Sequence, residues 1–348
     1  MKGSRIIKIV LFLLIPIILI AVWIFLGPAV SNPNKKFLFI STGSTYSDVT
    51  NDLIDSKILK STFWFNTAAA LLHYKTIKPG RYKVDEGTSL VSLIRMLKNG
   101  RQSPVKLVIT RLRTKEDLSR KIGANFEPDS QIVSLFLSNP DSITKYQLDT
   151  NTVMTAILPD TYTILWNTSI SKLFKTLKNA EQRFWTSARK AQAAKLGLTK
   201  TQVYIIASIV EEETNMEEDK GKVASVYMNR LNSGMRLAAD PTVKFALRQF
   251  GLKRIMNNQT RFNSPYNTYI TAGLPPGPIC TPSMKTIDAV LNAPSTPYLF
   301  FVARPDRSGY SNFASSYQEH RKYATIYQHW LDSLFTSRHL NKDGTPGN

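Results

Sequence analysis

Apolar residues are concentrated in one long run near the amino terminus. Residues 9–26 carry no charge and consist almost entirely of Ile, Leu, Val, Phe and Trp. A membrane-spanning helix needs about 20 such residues, whereas the apolar core of a cleavable signal peptide is shorter. The run therefore predicts a retained transmembrane helix. Lys2, Arg5 and Lys8 precede it, which favours a cytoplasmic amino terminus with the rest of the chain outside.

Shorter strands and amphipathic helices follow over residues 36–104. Apolar stretches at 37–40 and 81–84 predict two strands, and helices are predicted from Tyr46 onward, over 62–74 and over 89–97. Pro79–Gly80 and Asn99–Gly100 supply stop signals. Two strands that flank a pair of helices resemble the LysM type of glycan-binding module, so we expect a small β-α-α-β module here.

The remaining chain predicts a larger mixed domain. Strands are expected at 105–109, 162–166 and 298–303, and helices at 114–122, 130–137, 170–188 and 223–231. Thr199 and Gln202 form a capping-box pattern, which predicts a further helix from about Lys200. The fold class is therefore α+β. The expected boundaries are 1–30 for the cytoplasmic stub and anchor, 36–104 for the LysM-like module, 105–336 for the mixed domain and 337–348 for a frayed tail.

Composition excludes some classes of function. The 45 Lys and Arg outnumber the 25 Asp and Glu, which gives a formal net charge of +20. These cations are spread along the chain and accompany no nucleic-acid-binding motif. For an anchored protein, attraction to anionic lipid or to a cell-wall polymer is the simpler explanation. We therefore expect no nucleic-acid partner.

Thiol and metal chemistry are also disfavoured. Cys280 is the single cysteine and is expected to be a small inert core residue rather than a nucleophile. A metallohydrolase that uses Glu319 and His320 is one alternative function for the chain. The four histidines form no His-Glu-x-x-His arrangement. The sequence therefore predicts no metal site and no cofactor.

A cluster of acidic residues is the main candidate for chemistry. Six of the nine residues from Glu211 to Asp219 are acidic, and they follow the apolar segment that ends at Val210. Carboxyl groups that are crowded and partly desolvated resist ionisation, so one of them can stay protonated and act as a general acid. The simpler alternative is a solvated helix end followed by an acidic loop.

Helical periodicity separates the three consecutive glutamates. Val203, Ile206, Ala207 and Val210 share one face of the predicted helix. Glu213 and Glu211 fall at the two edges of that face, whereas Glu212 points to the opposite side. Geometry thus disfavours Glu212 and leaves Glu211 and Glu213 as open alternatives.

Several ordered motifs follow this helix. They are Asn229-Arg230, Asp240-Pro241, Tyr266-Asn267-Thr268-Tyr269, the proline-rich Gly273–Pro278 and the apolar strand before Ala303. Their order and spacing resemble the MltG (YceG-like) family of membrane-bound endolytic murein transglycosylases. The resemblance spans the whole layout and is strongest from Ala207 to Ala303.

The resemblance implies a specific reaction. It is cleavage of the β-1,4 bond between N-acetylmuramic acid and N-acetylglucosamine without water, which leaves a 1,6-anhydro end. It also implies Glu211 as the acid/base, Glu213 as a supporting residue, and peptidoglycan strands as the substrate. The location implied is the inner membrane with the catalytic domain on its periplasmic face, and cell-wall synthases are candidate partners.

Six residues are predicted to bind the substrate, because amides, cations and aromatic rings recognise sugar hydroxyls and pyranose faces: Asn229, Arg230, Asp240, Tyr266, Asn267 and Tyr269. Structural roles stay open for the first three. The chain departs from the family pattern at Cys280-Thr281-Pro282-Ser283 and at Ser311-Asn312-Phe313, where relatives tend to have Asn-Pro-Gly and a histidine. The alternatives to a lytic enzyme are a non-catalytic, membrane-anchored glycan-binding scaffold and a glycosidase that admits water.

Overall fold

The computed structural model describes the backbone of residues 2–30, 33 and 36–340, with side chains from residue 10 to residue 334 within those ranges. The strands of these residues are β1 (Phe37–Ile40), β2 (Gly80–Lys83), β3 (Val105–Ile109), β4 (Asp160–Ile164), β5 (Phe300–Ala303) and β6 (Ser311–Ala314). The helices of the first half are α1 (Lys2–Leu26), α2 (Tyr46–Asp55), α3 (Phe63–Leu71), α4 (Leu90–Asn99), α5 (Lys115–Gly123), α6 (Ser130–Ser138) and α7 (Pro140–Ile143). The helices of the second half are α8 (Ile170–Phe184), α9 (Ser187–Lys195), α10 (Lys200–Glu213), α11 (Glu217–Asn232), α12 (Asp240–Ala246), α13 (Met284–Leu291) and α14 (Tyr317–Leu340).

The strands form three small sheets of two strands each, β1–β2, β3–β4 and β5–β6, among the described residues. The first and third are antiparallel, with Phe37 opposite Lys83 and Phe300 opposite Ala314. Helices outnumber strands, and the sheets are separate from one another. This confirms the predicted α+β class.

The chain divides into two compact units. The first contains residues up to Leu107 together with 122–130 and 162–170, and the second contains 108–121, 131–161 and residues from Ser171 onward. The predicted domain boundary at residues 104/105 thus lies close to the first crossing. The two short returns of the chain to the first unit were not predicted, because no local pattern marks them.

The first unit contains the predicted strand–helix–helix–strand order as β1, α2, α3 and β2. Thr45 closes a capping box with Asp48 at the start of α2, and Gly100 ends α4 in the left-handed conformation. The core is formed by side chains that are essentially inaccessible, among them Leu38, Ile40, Leu53, Phe65, Tyr82 and Leu93.

The predicted membrane span, residues 9–26, lies within α1, which contains Pro16 and runs for 25 residues. In the part of the chain whose side chains are described, no helix has the length and hydrophobicity needed to cross a membrane. After α1, the Ala29 and Val30 amides donate to Thr88 O, and Val30 is buried in the first unit's core.

The second unit is built around α10, which packs against α11, α12 and α13. Every residue of α10 from Val203 to Val210 is buried. Thr199 and Gln202 form the predicted capping box. Because this helix is apolar on all sides over two turns, its last residues emerge from the core at a fixed place. The glutamates at positions 211–213 therefore lie on a rigid support.

One predicted helix start was wrong. The helix expected from Val223 begins at Glu217, so Glu217, Glu218 and Asp219 form the first turn of α11 rather than an acidic loop. Negative charge there is favourable, since the amino end of a helix carries a partial positive charge. At the other end, α14 continues to Leu340, so residues 337–340 are helical, and residues 341–348 lie outside the described residues.

Candidate active site

The three consecutive glutamates at the end of α10 have three different sets of partners. All three are partly exposed, because α10 leaves the core at Val210. Their side chains diverge around the helix by about 100° per residue. Each therefore meets a different neighbouring segment of the second unit, and the partners distinguish what each carboxyl can do.

Glu211 is held by positive and hydroxyl donors. Its Oε2 accepts hydrogen bonds from the Thr286 hydroxyl and from Ser283 Oγ at 3.1 Å. Lys220 Nζ lies 3.5 Å from the same oxygen, and the Lys220 side chain is only 5% exposed. Glu211 thus pairs with a buried lysine and links the end of α10 to α11 and to the start of α13.

Glu212 pairs with two arginines that follow β3. Its Oε2 lies 2.9 Å from Arg113 Nη2, and its Oε1 lies 3.4 Å from Arg111 Nε. The side chain points away from the partners of Glu211 and Glu213, as helical periodicity predicted. This double ion pair connects α10 to the chain after β3.

Glu213 lies in a different environment. Its Oε1 accepts a 2.6 Å hydrogen bond from the Tyr227 hydroxyl. Burial raises the pKa of the Glu213 carboxyl to about 7. The Tyr227 hydrogen bond and the nearby cations Lys244 and Arg230 lower this pKa, whereas the charge of Asp240 raises it. The net balance leaves a large fraction of the carboxyl protonated near neutral pH, which is what a general acid requires.

Three of the predicted binding residues surround Glu213. Asp240 begins α12, and its Oδ1 accepts a 2.6 Å hydrogen bond from the Tyr269 hydroxyl. Arg230 donates through Nε to Leu299 O at 2.7 Å and through Nη1 to Leu237 O. The guanidinium is thus held in place by backbone carbonyls, and its charge bears on Glu213. All three of these side chains are partly exposed.

The other three predicted binding residues make structural contacts. Asn267 is fully buried, and its amide donates to Thr260 O and Phe262 O. Its Oδ1 accepts from the Tyr269 amide, so Asn267 shapes the turn that carries Tyr269. Both the amide nitrogen and the oxygen of the Asn267 side chain are hydrogen-bonded to backbone atoms. Its contact with sugar stays a prediction.

Asn229 and Tyr266 also lie apart from Glu213. The Asn229 side chain donates to Thr296 O and Tyr298 O and lines a cavity of about 580 Å³. The Tyr266 ring packs 4.7 Å from that of Phe245, beside a separate cavity of about 150 Å³. Among the described residues, neither side chain forms a hydrogen bond or a ring contact with the cluster around Glu213.

The proline-rich loop and the single cysteine are structural. A Cβ at Gly277 would lie 2.1 Å from Asn151 O and 2.9 Å from Tyr266 Oη, so only glycine allows the loop to approach this closely. Cys280 is buried, and its thiol donates to Ser208 O on α10. Burial raises the pKa of this thiol, which supports the predicted inert role.

A family model described as the YceG-like family matches residues 38–325. The chain belongs to the YceG-like family. The match includes α10 and every element that contributes to the cluster around Glu213.

Individual relatives agree with this membership. The chain is similar to an endolytic murein transglycosylase of Bacillus subtilis, at 26% identity over 299 residues that cover 81% of this chain and 82% of the relative. It is also similar to an endolytic murein transglycosylase of Streptococcus pneumoniae, at 26% identity over 307 residues, and spans only 55% of that longer protein. The crystal structure of a yceG-like protein from Listeria monocytogenes superposes with a TM-score of 0.54 at 25% identity, covering 84% of this chain and 99% of that one.

Two residues that contact the glutamates of this YceG-like chain, Tyr227 and Lys220, were not among the predicted site residues. Both lie on α11, whose packing against α10 brings Tyr227 to Glu213 and Lys220 to Glu211. The sequence offers no signal for either pairing, because an apolar helix pattern does not specify which residues of two helices meet.

Proposed function

We propose that this chain is an endolytic murein transglycosylase. It would cleave the β-1,4 bond between N-acetylmuramic acid and N-acetylglucosamine without water and leave a 1,6-anhydro end, as a carbon–oxygen lyase. The observation that carries the chemistry is the Glu213 carboxyl, whose pKa is raised to about 7 at the end of a rigid helix. Membership in a family with relatives of that name supports the choice of substrate.

The reaction needs only one carboxyl group. The protonated acid donates its proton to the glycosidic oxygen of the leaving N-acetylglucosamine as the C1–O bond of N-acetylmuramic acid breaks. The resulting carboxylate then takes the proton of the sugar's own C6 hydroxyl, and that oxygen bonds to C1. The carboxyl is protonated again at the end, so atoms and charge balance. A pKa near the working pH serves both steps.

Glu213 is the better candidate for the proton donor because burial raises the pKa of its carboxyl to about 7. Its hydrogen bond to Tyr227 fixes Oε1 and leaves Oε2 to carry the proton. Glu211, which the family resemblance suggested as the acid, instead accepts hydrogen bonds from Ser283 and Thr286 and faces Lys220. These contacts tie the end of α10 to α11 and to the start of α13. We propose proton transfer by Glu213, and Glu211, the acid that the family resemblance implies, is the alternative that the variants below distinguish.

The neighbours of Glu213 have defined roles in this proposal. The charge of Asp240 keeps the pKa of Glu213 high. The hydrogen bond that the Tyr269 hydroxyl donates to Asp240 orients the Asp240 carboxylate. The fixed Arg230 guanidinium stabilises the Glu213 carboxylate between the two proton transfers. Tyr269 also presents an aromatic ring beside the acid, which suits the apolar face of a pyranose.

The test is a set of isosteric variants on one helix. Glu213→Gln should abolish the release of anhydro-muropeptides from purified sacculi, measured by mass spectrometry. Glu211→Gln and Glu212→Gln are matched controls and should retain activity in their folded fraction. If only Glu211→Gln abolished the release of anhydro-muropeptides, Glu211 would be identified as the proton donor instead. A product one water heavier would identify a hydrolase instead.

The location of the enzyme is a further part of the proposal. Residues 9–26 would anchor the chain in the inner membrane, with the catalytic unit on the periplasmic face where peptidoglycan lies. Exposed apolar side chains of α1, such as Phe12, Ile17 and Leu19, support this. Flotation of the full chain with lipid vesicles at alkaline pH tests it, since a protein without an anchor stays in the dense fraction. Cell-wall synthases stay a predicted partner.

A further inference from the structure

The first unit carries an exposed apolar face that its own core does not explain. Phe63 is 64% exposed, Trp64 is 44% exposed and Leu71 is 69% exposed, and all three belong to α3. Phe63 and Leu71 are two helical turns apart and so lie along one side of the helix. The opposite side of α3 is buried through Phe65, Ala68 and Ala69. Contiguous exposed groups of this size mark interaction surfaces.

This face of α3 lies next to the end of α1. The Phe25 ring meets the Trp64 ring edge-on at 5.9 Å, and the Trp64 ring meets that of Phe63 at 5.0 Å. Trp23 and Leu26, also near the end of α1, are 69% and 60% exposed. The exposed apolar surface of α1 therefore continues onto α3 without a break in the chain of ring contacts.

The junction between α1 and the first unit is rigid. Ala29 and Val30 donate to Thr88 O, and the Gly87 amide donates to Val30 O. α1 packs directly against α3 and α4. A helix end held by backbone hydrogen bonds and side-chain packing cannot swing freely. The α3 face is therefore fixed at the end of α1.

Positive charge predominates on the segments that flank α3 and on α4, while Asp85 and Glu86 lie at the turn before α4. The sequence contains no Asp or Glu from Lys57 to Val84, a segment with six Lys and Arg, and α4 contains none either. Lys98 donates from α4 to Leu72 O at 2.7 Å, so its ammonium lies at the end of α3 beside Leu71. Aromatic residues with adjacent cations match the boundary between acyl chains and anionic headgroups.

We infer that Phe63, Trp64 and Leu71 on α3, with Lys98, form a surface that inserts into the headgroup region of an anionic lipid bilayer. The inference rests on the proposed anchoring of α1. It adds that the first unit lies flat against the membrane instead of standing away from it. Anionic lipid fits better than a glycan because Leu71 is aliphatic and the charged residues of segment 57–84 and of α4 are all positive.

The test uses the full chain in vesicles that contain phosphatidylglycerol. Single cysteines are introduced by Phe63→Cys, Leu71→Cys, Leu19→Cys on α1 and Asn51→Cys on an exposed position of α2, and each is labelled with a polarity-sensitive dye. Cys280 is buried, so the parent chain should take up no dye and serves as the background. Lipids with a spin label near the headgroup, or near the bilayer centre, report the depth of each dye.

We expect the dyes at positions 63 and 71 to lose fluorescence with the shallow spin label, and the dye at Asn51 to keep it. If the dyes at positions 63 and 71 were quenched no more than the dye at Asn51, the proposed insertion of the α3 face into the bilayer would be refuted. A blue shift of the dyes at positions 63 and 71 without quenching by the spin-labelled lipids would indicate that this face of α3 contacts a second copy of the chain or a glycan. That result would also overturn the proposed lipid contact. The Leu19 dye reports the anchor separately, because only an inserted α1 meets the deep spin label. Quenching at position 19 without quenching at 63 would refute the surface alone.

Discussion

The Tyr227 hydroxyl and the Glu213 carboxyl form a 2.6 Å hydrogen bond between α11 and α10. Tyr227 donates, so the bond favours the ionised carboxylate, whereas the nearby charge of Asp240 favours the protonated form. The pKa of Glu213 is thus set by two opposing neighbours on different elements. Removal of Tyr227 should therefore raise the pKa of Glu213, and removal of the Asp240 charge should lower it.

Tyr227→Phe should move the alkaline limb of the pH–activity profile to higher pH. We expect the wild-type enzyme to lose activity as pH rises through about 7, where the Glu213 carboxyl gives up its proton. Without the donor, the anion is less stable and the pKa rises further. The maximal rate should fall about tenfold, because one orienting hydrogen bond is lost.

The matched control for this variant is Tyr310→Phe. Tyr310 also donates to a glutamate, Glu218, but at an exposed position. Its removal should leave the profile unchanged. The release of anhydro-muropeptides measured across pH gives both results, and an unshifted limb in Tyr227→Phe would exclude Glu213 as the titrating acid.

Asp240→Asn should shift the same limb in the opposite direction. The variant removes the negative charge that raises the pKa of Glu213 but keeps an oxygen to accept the Tyr269 hydroxyl. A lower pKa leaves less of the acid protonated at neutral pH, so activity there should fall and recover on acidification. If Asp240 only bound sugar, KM would rise and the limb would not move.

Local patterns in the sequence were sufficient for most elements. The capping box at Thr199 begins α10 as predicted, since this signal is complete within four residues. Periodicity correctly placed Glu212 away from its neighbours. It could not choose between Glu211 and Glu213, because Lys220 and Tyr227 decide their environments and lie on another helix. Asn267 shows the same difficulty, because the sequence does not reveal the partners of its side chain. An amide is suited to binding sugars, but the Asn267 amide donates to backbone carbonyls of the preceding loop.

Glu211→Gln should destabilise the protein without moving the pH profile. Lys220 would lose one of its two carboxylate partners while its side chain stays 5% exposed. We expect the free energy of unfolding to fall by about 1–3 kcal/mol, measured by chemical denaturation. Glu217→Gln provides the control, because Glu217 pairs with the same lysine but is 55% exposed, so its loss should cost less than about 1 kcal/mol.

Asn267→Ala should affect stability and catalysis together. The variant leaves two carbonyls without their donor and removes the acceptor of the Tyr269 amide. A loss of about 2–3 kcal/mol in unfolding free energy is expected, with a lower kcat because Tyr269 shifts relative to Asp240. A direct sugar contact predicts the reverse pattern, in which KM rises and thermal stability is unchanged. Denaturation and steady-state kinetics on the same preparation separate the two.

Glu213→Gln should make the protein more stable at alkaline pH while it abolishes activity. The folded-state pKa of Glu213 is about 7 against a reference of 4.5, so between these values the folded state binds more protons than the unfolded state. Stability then falls as pH rises through this window. Glutamine does not ionise and still accepts from Tyr227, so it avoids that loss.

The difference in unfolding free energy between Glu213→Gln and the wild type should therefore grow between pH 4.5 and about 7 and stay constant above it. One pKa unit corresponds to about 1.4 kcal/mol, and solvent at a partly exposed carboxyl reduces the effect, so a plateau of about 2 kcal/mol is expected. Glu211→Gln measured in parallel should be less stable than the wild type at pH 8. A Glu213→Gln protein with no gain at pH 8 would show that Glu213 is already ionised without penalty, and the assignment of the acid would fail with it.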